Sequence, residues 1–387
     1  MNELLISKSS KRIIDLIILV IGIFFVIHFL SDFINKINLR YHMGWPQFNR
    51  IIKGIFLGFS ILISGYFLIL KKGQNKYLRF ILYPIFFSFF FIKIIFIGEF
   101  ETFVRYLFFL WIIPVYYVIF KHSQFNKNYD TIIYNIFTFI TIINFLGVIF
   151  GFLFQIEIFA TYRGRYGYDG LIMNQMQAPY FYLASLFVFY KKQNTILLIL
   201  TFISIFLSGI KAIYLGAYLY LLFQIIYFGK LKMNYSKRLL IIIAVNVIFI
   251  FILYSILATN LFNKIISEHG LITAITSFRN HNYYDIVEQI NSENFSFFFG
   301  SINLESFRSE FGFLDIFFFF GIMGLLFYAL LLKELFILFA TDRTSIAYFI
   351  INFSLVALAG NFFYFPFNCF IFITTLLFLN NSYVRQV

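Results

Sequence analysis

The chain of 387 residues is 61% hydrophobic, 24% aromatic and only 12% charged, with a mean hydropathy of +0.87. That composition excludes a water-soluble domain of this size and points to a polytopic helical membrane protein. The formal charge of +13 does not argue for nucleic acid as a partner, because most Lys and Arg sit in short turns between apolar runs, where they set orientation in the bilayer.

The apolar runs recur from end to end, each near the ~20 residues that a bilayer needs, and about twelve spans are expected. They cover residues 13–30, 51–70, 80–97, 103–120, 131–154 and 178–190. Two shorter runs follow, 195–208 and 212–228, then 239–257, 310–332, 345–359 and 367–379. The first run is long enough to stay as a helix, with Lys8, Lys11 and Arg12 before it, so no cleavable signal peptide is expected. Basic turns follow the second, fourth, sixth and eighth runs, on the face of the N-terminus. That face is therefore expected to be cytoplasmic, with both termini on it. The exception is the first outer turn, assigned to Lys36, Arg40, Arg50 and Lys53, which has no account beyond a contact with anionic lipid or substrate. The expected organisation is one membrane domain over 1–387, with two external loops at 155–177 and 258–310. The single Cys369 excludes an intrachain disulfide and argues against a thiol nucleophile.

The polar residues gather in those external loops. In the first, Arg163 and Arg165 flank Gly164 among tyrosines. Guanidinium forks bind phosphate oxygens bidentately, tyrosines offer faces to sugar rings, and a Gly-rich backbone approaches a ligand closely. The alternative is a pair of interfacial lipid anchors. Asn174, Gln175 and Gln177 follow. They either hydrogen-bond sugar hydroxyls or cap the next helix. Ser208-Gly209-Ile210-Lys211 ends a run too short to cross, which places Lys211 in a recess where an ammonium holds phosphate, or lets it snorkel to headgroups. In the long loop Arg279 and His281 open an amphipathic helical pattern through Ile286, Val287 and Ile290. Residues 297–301 read as a turn back to the membrane. His281 is a base by chemistry, though a lone loop histidine is more often plain surface.

The stretch 309–324 closes the long loop. It opens on Glu310 where chain passes from water to lipid, with Asp315 further in and Gly321 and Gly324 on the same apolar run. A charge inside a spanning helix costs about 2.5–3.5 kcal/mol, which makes it a functional candidate. The bland alternative has Ser309 as a helix cap and Glu310 answering the helix dipole. No HExxH, CxxC or His–carboxylate cluster is read in the chain, so no metal is expected. No P-loop or GxGxxG indicates a nucleotide, and no cofactor is expected.

Taken in order, these pieces resemble the O-antigen polymerase (Wzy) and O-antigen ligase family. The likeness covers Arg163 and Arg165 running into Asn174, the Ser208-Gly-Ile-Lys turn, Arg279 at the head of its helix, the Phe299-Gly300 turn, and the spacing from Glu310 to Gly321 and Gly324. The resemblance implies a GT-C-like membrane glycosyltransferase of the bacterial inner membrane, with its site facing the periplasm. It implies undecaprenyl-diphosphate-linked oligosaccharide as substrate, with a chain-length regulator and a flippase as partners. Glu310 and Arg279 then carry catalysis. Arg163, Arg165 and Lys211 bind the diphosphate, and Asn174, Gln177, His281 and Asp315 meet sugar. Ligases of the family place His where Glu310 stands, so the pattern is closer to a polymerase; where the family has Arg, Lys211 keeps the charge but loses the fork. The competing expectations are the ligase and, in another class, a lipid-linked oligosaccharide flippase or transporter.

Overall fold

The computed structural model describes residues 2–46, 48–70, 84–85, 110–117, 127–161, 167–172, 176–227, 235–292, 295–300, 309–360, 362–363 and 365–380. Among them the protein is all-helical. The α-helices are α1 (Asn2–Tyr41), α2 (Phe48–Leu70), α3 (Lys127–Phe154), α4 (Ala178–Lys191), α5 (Thr195–Leu207), α6 (Lys211–Tyr227), α7 (Tyr235–Leu257), α8 (Asn260–Thr276), α9 (Arg279–Ser292), α10 (Gly312–Phe339), α11 (Arg343–Ala359) and α12 (Pro366–Asn380). Among the described residues, four segments are long and apolar enough to cross a membrane: Gly22–Tyr41, Tyr129–Phe154, Ser236–Leu257 and Gly312–Phe339. The expected span 80–97 lies outside the described residues apart from 84–85, and of 103–120 only the helical stretch 110–117 is described.

The core is built on α4 and α12. Residues 178–189 of α4 and 367–379 of α12 are buried throughout, which is why these two helices are apolar on every side. Asn368 Nδ2 donates to the Met176 carbonyl (3.2 Å) at one end, and Lys191 donates to the Phe378 and Leu379 carbonyls at the other. The two helices are therefore parallel. Around them pack α3, α5, α6, α10 and α11, with α1 against both α3 and α12 and α2 against α1 and Phe370 of α12. In contrast, α7 buries none of its most apolar stretch in the protein. Its Leu240, Phe251 and Tyr254 point outward, a face that needs lipid rather than water.

The outer basic turn is corrected by the structure. Lys36 and Arg40 are not in a turn: α1 runs on to Tyr41, and Lys53 lies within α2. They hold protein groups. Lys36 Nζ bonds Asp169 Oδ1 (2.6 Å) and the carbonyls of Gly170 (2.6 Å) and Ile172 (3.2 Å). Arg40 donates to the Ala160 carbonyl. Burial pushes the Asp169 carboxyl up to about 6, with the Lys36 ammonium pulling it back.

The second departure from regular helix is in α10. Gly321 breaks it with φ 66° and ψ −162°. The turn at 296–300 fits into that break, its Phe297 and Phe298 carbonyls accepting the amides of Ile322 (3.0 Å) and Met323 (3.2 Å). Gly300 closes the same turn at φ 72°. A Cβ on Gly321 would sit 2.3 Å from the Phe298 carbonyl, and one on Gly300 2.5 Å from the Phe319 backbone. Irregular backbone within an apolar helix is tolerated where protein satisfies its polar groups, as this turn does.

Two stability predictions follow from these contacts. Lys36→Met strands a buried carboxylate and is expected to cost about 3–5 kcal/mol, while Lys36→Met/Asp169→Leu recovers much of that loss; a double-mutant cycle by thermal unfolding in detergent reads both. Gly321→Ala is expected to cost at least about 1–3 kcal/mol in backbone strain alone. Gly58→Ala, where an added Cβ meets nothing within 4 Å, is expected to be neutral or stabilising by up to about 1 kcal/mol.

Candidate functional site

Three polar segments meet at the end of the bundle where α4 and α12 begin. The first is 155–172. Thr161 donates its hydroxyl to the Ser208 carbonyl (2.7 Å), its amide bonds the Gly167 carbonyl (2.9 Å), and the Tyr168 amide bonds the Leu207 carbonyl (2.8 Å). A Cβ on Gly167 would meet the Ser208 oxygen at 2.4 Å. Buried Asn144 of α3 accepts the amides of Leu171 (2.8 Å) and Ile172 (3.2 Å). Arg163, Arg165 and Asn174 lie outside the described residues. The segment carrying the two arginines is fixed at both ends on the 207–209 turn.

The second segment is that turn. Gly209 takes φ 67° and lets the chain reverse between α5 and α6. Lys211, the first residue of α6, is half-buried. Its ammonium bonds the Ala274 (2.7 Å) and Ile275 (3.1 Å) carbonyls and sits 4.5 Å from the Phe262 ring centre. It therefore satisfies the C-terminal carbonyls of α8, where a cation also meets the negative end of the helix dipole.

The third segment is the long loop, which is mostly helical. Ser277 and Phe278 take φ 55° and 67°, turning α8 sharply into α9 and placing Arg279 at its first position. Arg279 Nε bonds Glu310 Oε2 (3.2 Å), and Nη1 bonds the Leu358 carbonyl (3.1 Å) at the end of α11. The pair is part-exposed, at 20% and 28% for the two side chains. Two predicted site residues, 31 apart in the chain, are thus in contact.

Glu310 stands before α10, not in it. Phe311 is the N-cap residue, with no side-chain cap, so the expectation that Ser309 caps the helix is not met. Instead Asp315, 1% exposed, reaches back and accepts the Ser309 amide (2.8 Å) and hydroxyl (2.6 Å). Glu310 itself has φ 59°. It holds that conformation against Gly360, also at φ 60°, where a Cβ would lie 1.7 Å from the Glu310 carbonyl oxygen. The Gly360 carbonyl accepts the Tyr180 hydroxyl (2.8 Å), and the Tyr180 amide bonds the Gln177 carbonyl (3.1 Å). Gln177 is the buried N-cap residue of α4 and makes no side-chain cap. The Tyr180 hydroxyl and the Gly360–Glu310 backbone contact thus join the start of α4 to Glu310.

His281 falls elsewhere. It is exposed, its Nε2 lies 3.4 Å from Thr273 Oγ1, and its ring faces His269 at 5.7 Å. It looks toward α8, away from the Arg279–Glu310 contact. Among the described residues no group of three or more His, Cys, Asp or Glu is placed to hold a metal. A histidine–carboxylate pair that the sequence reading did not single out lies in α1, where His28 Nδ1 is 3.2 Å from Asp32 Oδ2. The four-residue spacing on one helix was the available signal.

The chain matches no family model, no curated protein and no solved structure.

Asp315 is expected to act by placing Glu310. Asp315→Ala leaves two buried donors unpaired and should cost about 1–3 kcal/mol each way of counting them, seen as a lower melting temperature. Asp315→Asn keeps an acceptor oxygen and should lose much less. Equal losses would mean that the charge, and not the acceptor, is what Ser309 needs.

Proposed function

We propose that this protein is a membrane glycosyltransferase that joins undecaprenyl-diphosphate-linked oligosaccharide repeat units into O-antigen or capsular polysaccharide. The observation that carries the reading is the Arg279–Glu310 contact, made at the mouth of the helix bundle by residues from α9 and the entry to α10. It puts a carboxylate and a guanidinium side by side at the edge of the apolar region. One Glu310 oxygen is held by Arg279; Oε1 has no protein partner among the described residues.

In this reading the acceptor sugar hydroxyl attacks the anomeric carbon of the donor glycan. Its proton passes to the Glu310 carboxylate, the anomeric C–O bond to phosphate breaks, and undecaprenyl diphosphate leaves with the electron pair. General-base help of this kind is worth about 10²–10⁴-fold. Arg279, Arg163 and Arg165 stabilise the charge that develops on the departing diphosphate, and Lys211, expected from sequence to share that task, supports the placement of Arg279 through the end of α8. Asp315 positions Glu310 through Ser309. Gln177, Asn174 and His281 are assigned to sugar contacts, His281 at a distance from the reacting atoms. Phosphate is already a good leaving group, so the reaction needs no nucleotide.

Two further features support a lipid-linked substrate. Helices α4 and α12, of 14 and 15 residues, are about 21–22 Å long against about 30 Å of hydrocarbon. If their C-termini lie at the face read as cytoplasmic, their N-termini would stop short of the periplasmic surface. An apolar groove of about 500 Å³ runs between α5, α6 and α7, with Phe206, Tyr214, Tyr218 and Phe249 in its lining. Tyr214 is one turn from Lys211, so a hydrocarbon tail in the groove would bring its phosphates to that end of the bundle.

Glutamate where the family's ligases carry histidine favours polymerase over ligase. One observation favours the transporter reading: His28, Asp32 and Lys53 place ionisable groups within helices, as carriers do. Purified protein in detergent, with no gradient, separates the classes. It is expected to lengthen lipid-linked repeat units into a ladder. Glu310→Gln should lower that rate by about 10²-fold or more, and Arg279→Ala should lower it comparably, with Arg279→Lys in between. A wild-type ladder from Glu310→Gln would remove Glu310 from the chemistry. No lengthening by the native protein, with glycan instead transferred to a lipid A core, would make it the ligase.

A further inference from the structure

The polar cluster within α1 and α2 is not used by the mechanism above. His28 and Asp32 lie one turn apart on α1, 0% and 3% exposed. His28 Nδ1 is 3.2 Å from one Asp32 oxygen, and Lys53 of α2 is 3.4 Å from the other. The imidazole is flanked by Phe24, edge-on at 5.5 Å, and Phe367 of α12 at 4.3 Å. Both ring nitrogens are buried and neither completes a hydrogen bond among the described residues: Nδ1 has the Asp32 carboxylate beside it, out of line for a full bond, and Nε2 has no polar atom against it.

Among the described residues the charges beside this ring are opposite in sign, Asp32 and Lys53. Lys36, one turn further along α1, bonds Asp169, and the α12 residue against the ring is the uncharged Phe367. A neutral imidazole carries one N–H. The carboxylate beside Nδ1 draws the proton to that nitrogen and leaves a lone pair on Nε2. A buried acceptor without a donor is costly, and ionisable groups inside apolar helices are kept for function.

We propose that His28 Nε2 is a binding site for a hydroxyl group, which donates its O–H to the ring. Asp32 is the positioning residue that sets the tautomer, and Lys53 is the counter-charge that keeps Asp32 ionised. The hydroxyl comes from an ordered water or from a sugar of the glycan. The site itself is independent of the polymerase reading; only the sugar source rests on it. The location fits that source. Phe367 is followed by Asn368, which bonds the Met176 carbonyl next to Gln177, so the cluster abuts the same ends of α4 and α12 as Glu310.

The test is nitrogen NMR on histidine-labelled protein in nanodiscs. The chain has five histidines, and His28→Gln assigns the signal. The expected spectrum shows a neutral ring protonated on Nδ1, with Nε2 shifted as a hydrogen-bonded acceptor. If Nε2 is shifted before any addition, water fills the site. If it shifts only when undecaprenyl-diphosphate-linked oligosaccharide is added, and not with undecaprenyl diphosphate alone, the sugar hydroxyl is the donor. Asp32→Asn should mix the tautomers. A proton on Nε2, or an unshifted lone pair in every sample, would overturn the proposal. These readouts stand whether or not the protein lengthens glycan.

Discussion

The arrangement depends on a backbone-to-backbone contact between Gly360 and Glu310. Glu310 is held at φ 59°, a left-handed conformation that an L-residue with a side chain adopts only under constraint. The constraint comes from Gly360, whose missing Cβ lets the end of α11 press on the Glu310 carbonyl. That contact turns the carboxylate away from α10 and toward Arg279. The same glycine presents its carbonyl to Tyr180, so the position of Glu310 is tied to the central helix α4. Any side chain at 360 would push these three elements apart.

A second glycine contact works at greater depth. The 296–300 turn rests in the break at Gly321, and its carbonyls replace those that a continuous helix would have supplied to Ile322 and Met323. The chain between Arg279 and Glu310 is therefore not a free excursion. Its described parts are α9 and the 296–300 turn, which is seated on α10. Residues on a polar loop are thereby held more closely than a loop alone would hold them. Asp315 adds to it by securing Ser309 from inside α10.

Much of the helical pattern was legible because apolar runs bounded by Lys, Asn, Gly and Pro leave little choice of boundary. The run at 195–208, closed by Ser208 and Gly209, becomes Thr195–Leu207, and the amphipathic pattern from Arg279 becomes α9. The end of α1 was not legible. Asp32, Asn35, Lys36 and Arg40 look like a polar turn when read locally. They are helical because Asp169, 133 residues from Lys36, supplies the buried partner, and composition cannot reveal a pairing across that distance. In the site, Arg279, Glu310 and Lys211 stood out as charges in an apolar chain. Their partners did not: a left-handed Glu310 follows from Gly360, and the carbonyls that hold Lys211 belong to a helix end with no distinctive sequence.

The cations of this region divide by what already occupies them. Lys36 and Arg40 are committed to the 155–172 segment, and their work is to seat the base of the loop that carries Arg163 and Arg165. Lys211 joins α6 to the last turn of α8, directly before the sharp reversal that sets Arg279. Its ammonium is a point charge with three donors, two of which serve carbonyls. A lysine suits that task better than an arginine, whose planar fork favours a carboxylate or phosphate. Lys211 supports the placement of Arg279, and the guanidinium of Arg279, held by both Glu310 and the end of α11, is the cation that the chain brings to the carboxylate.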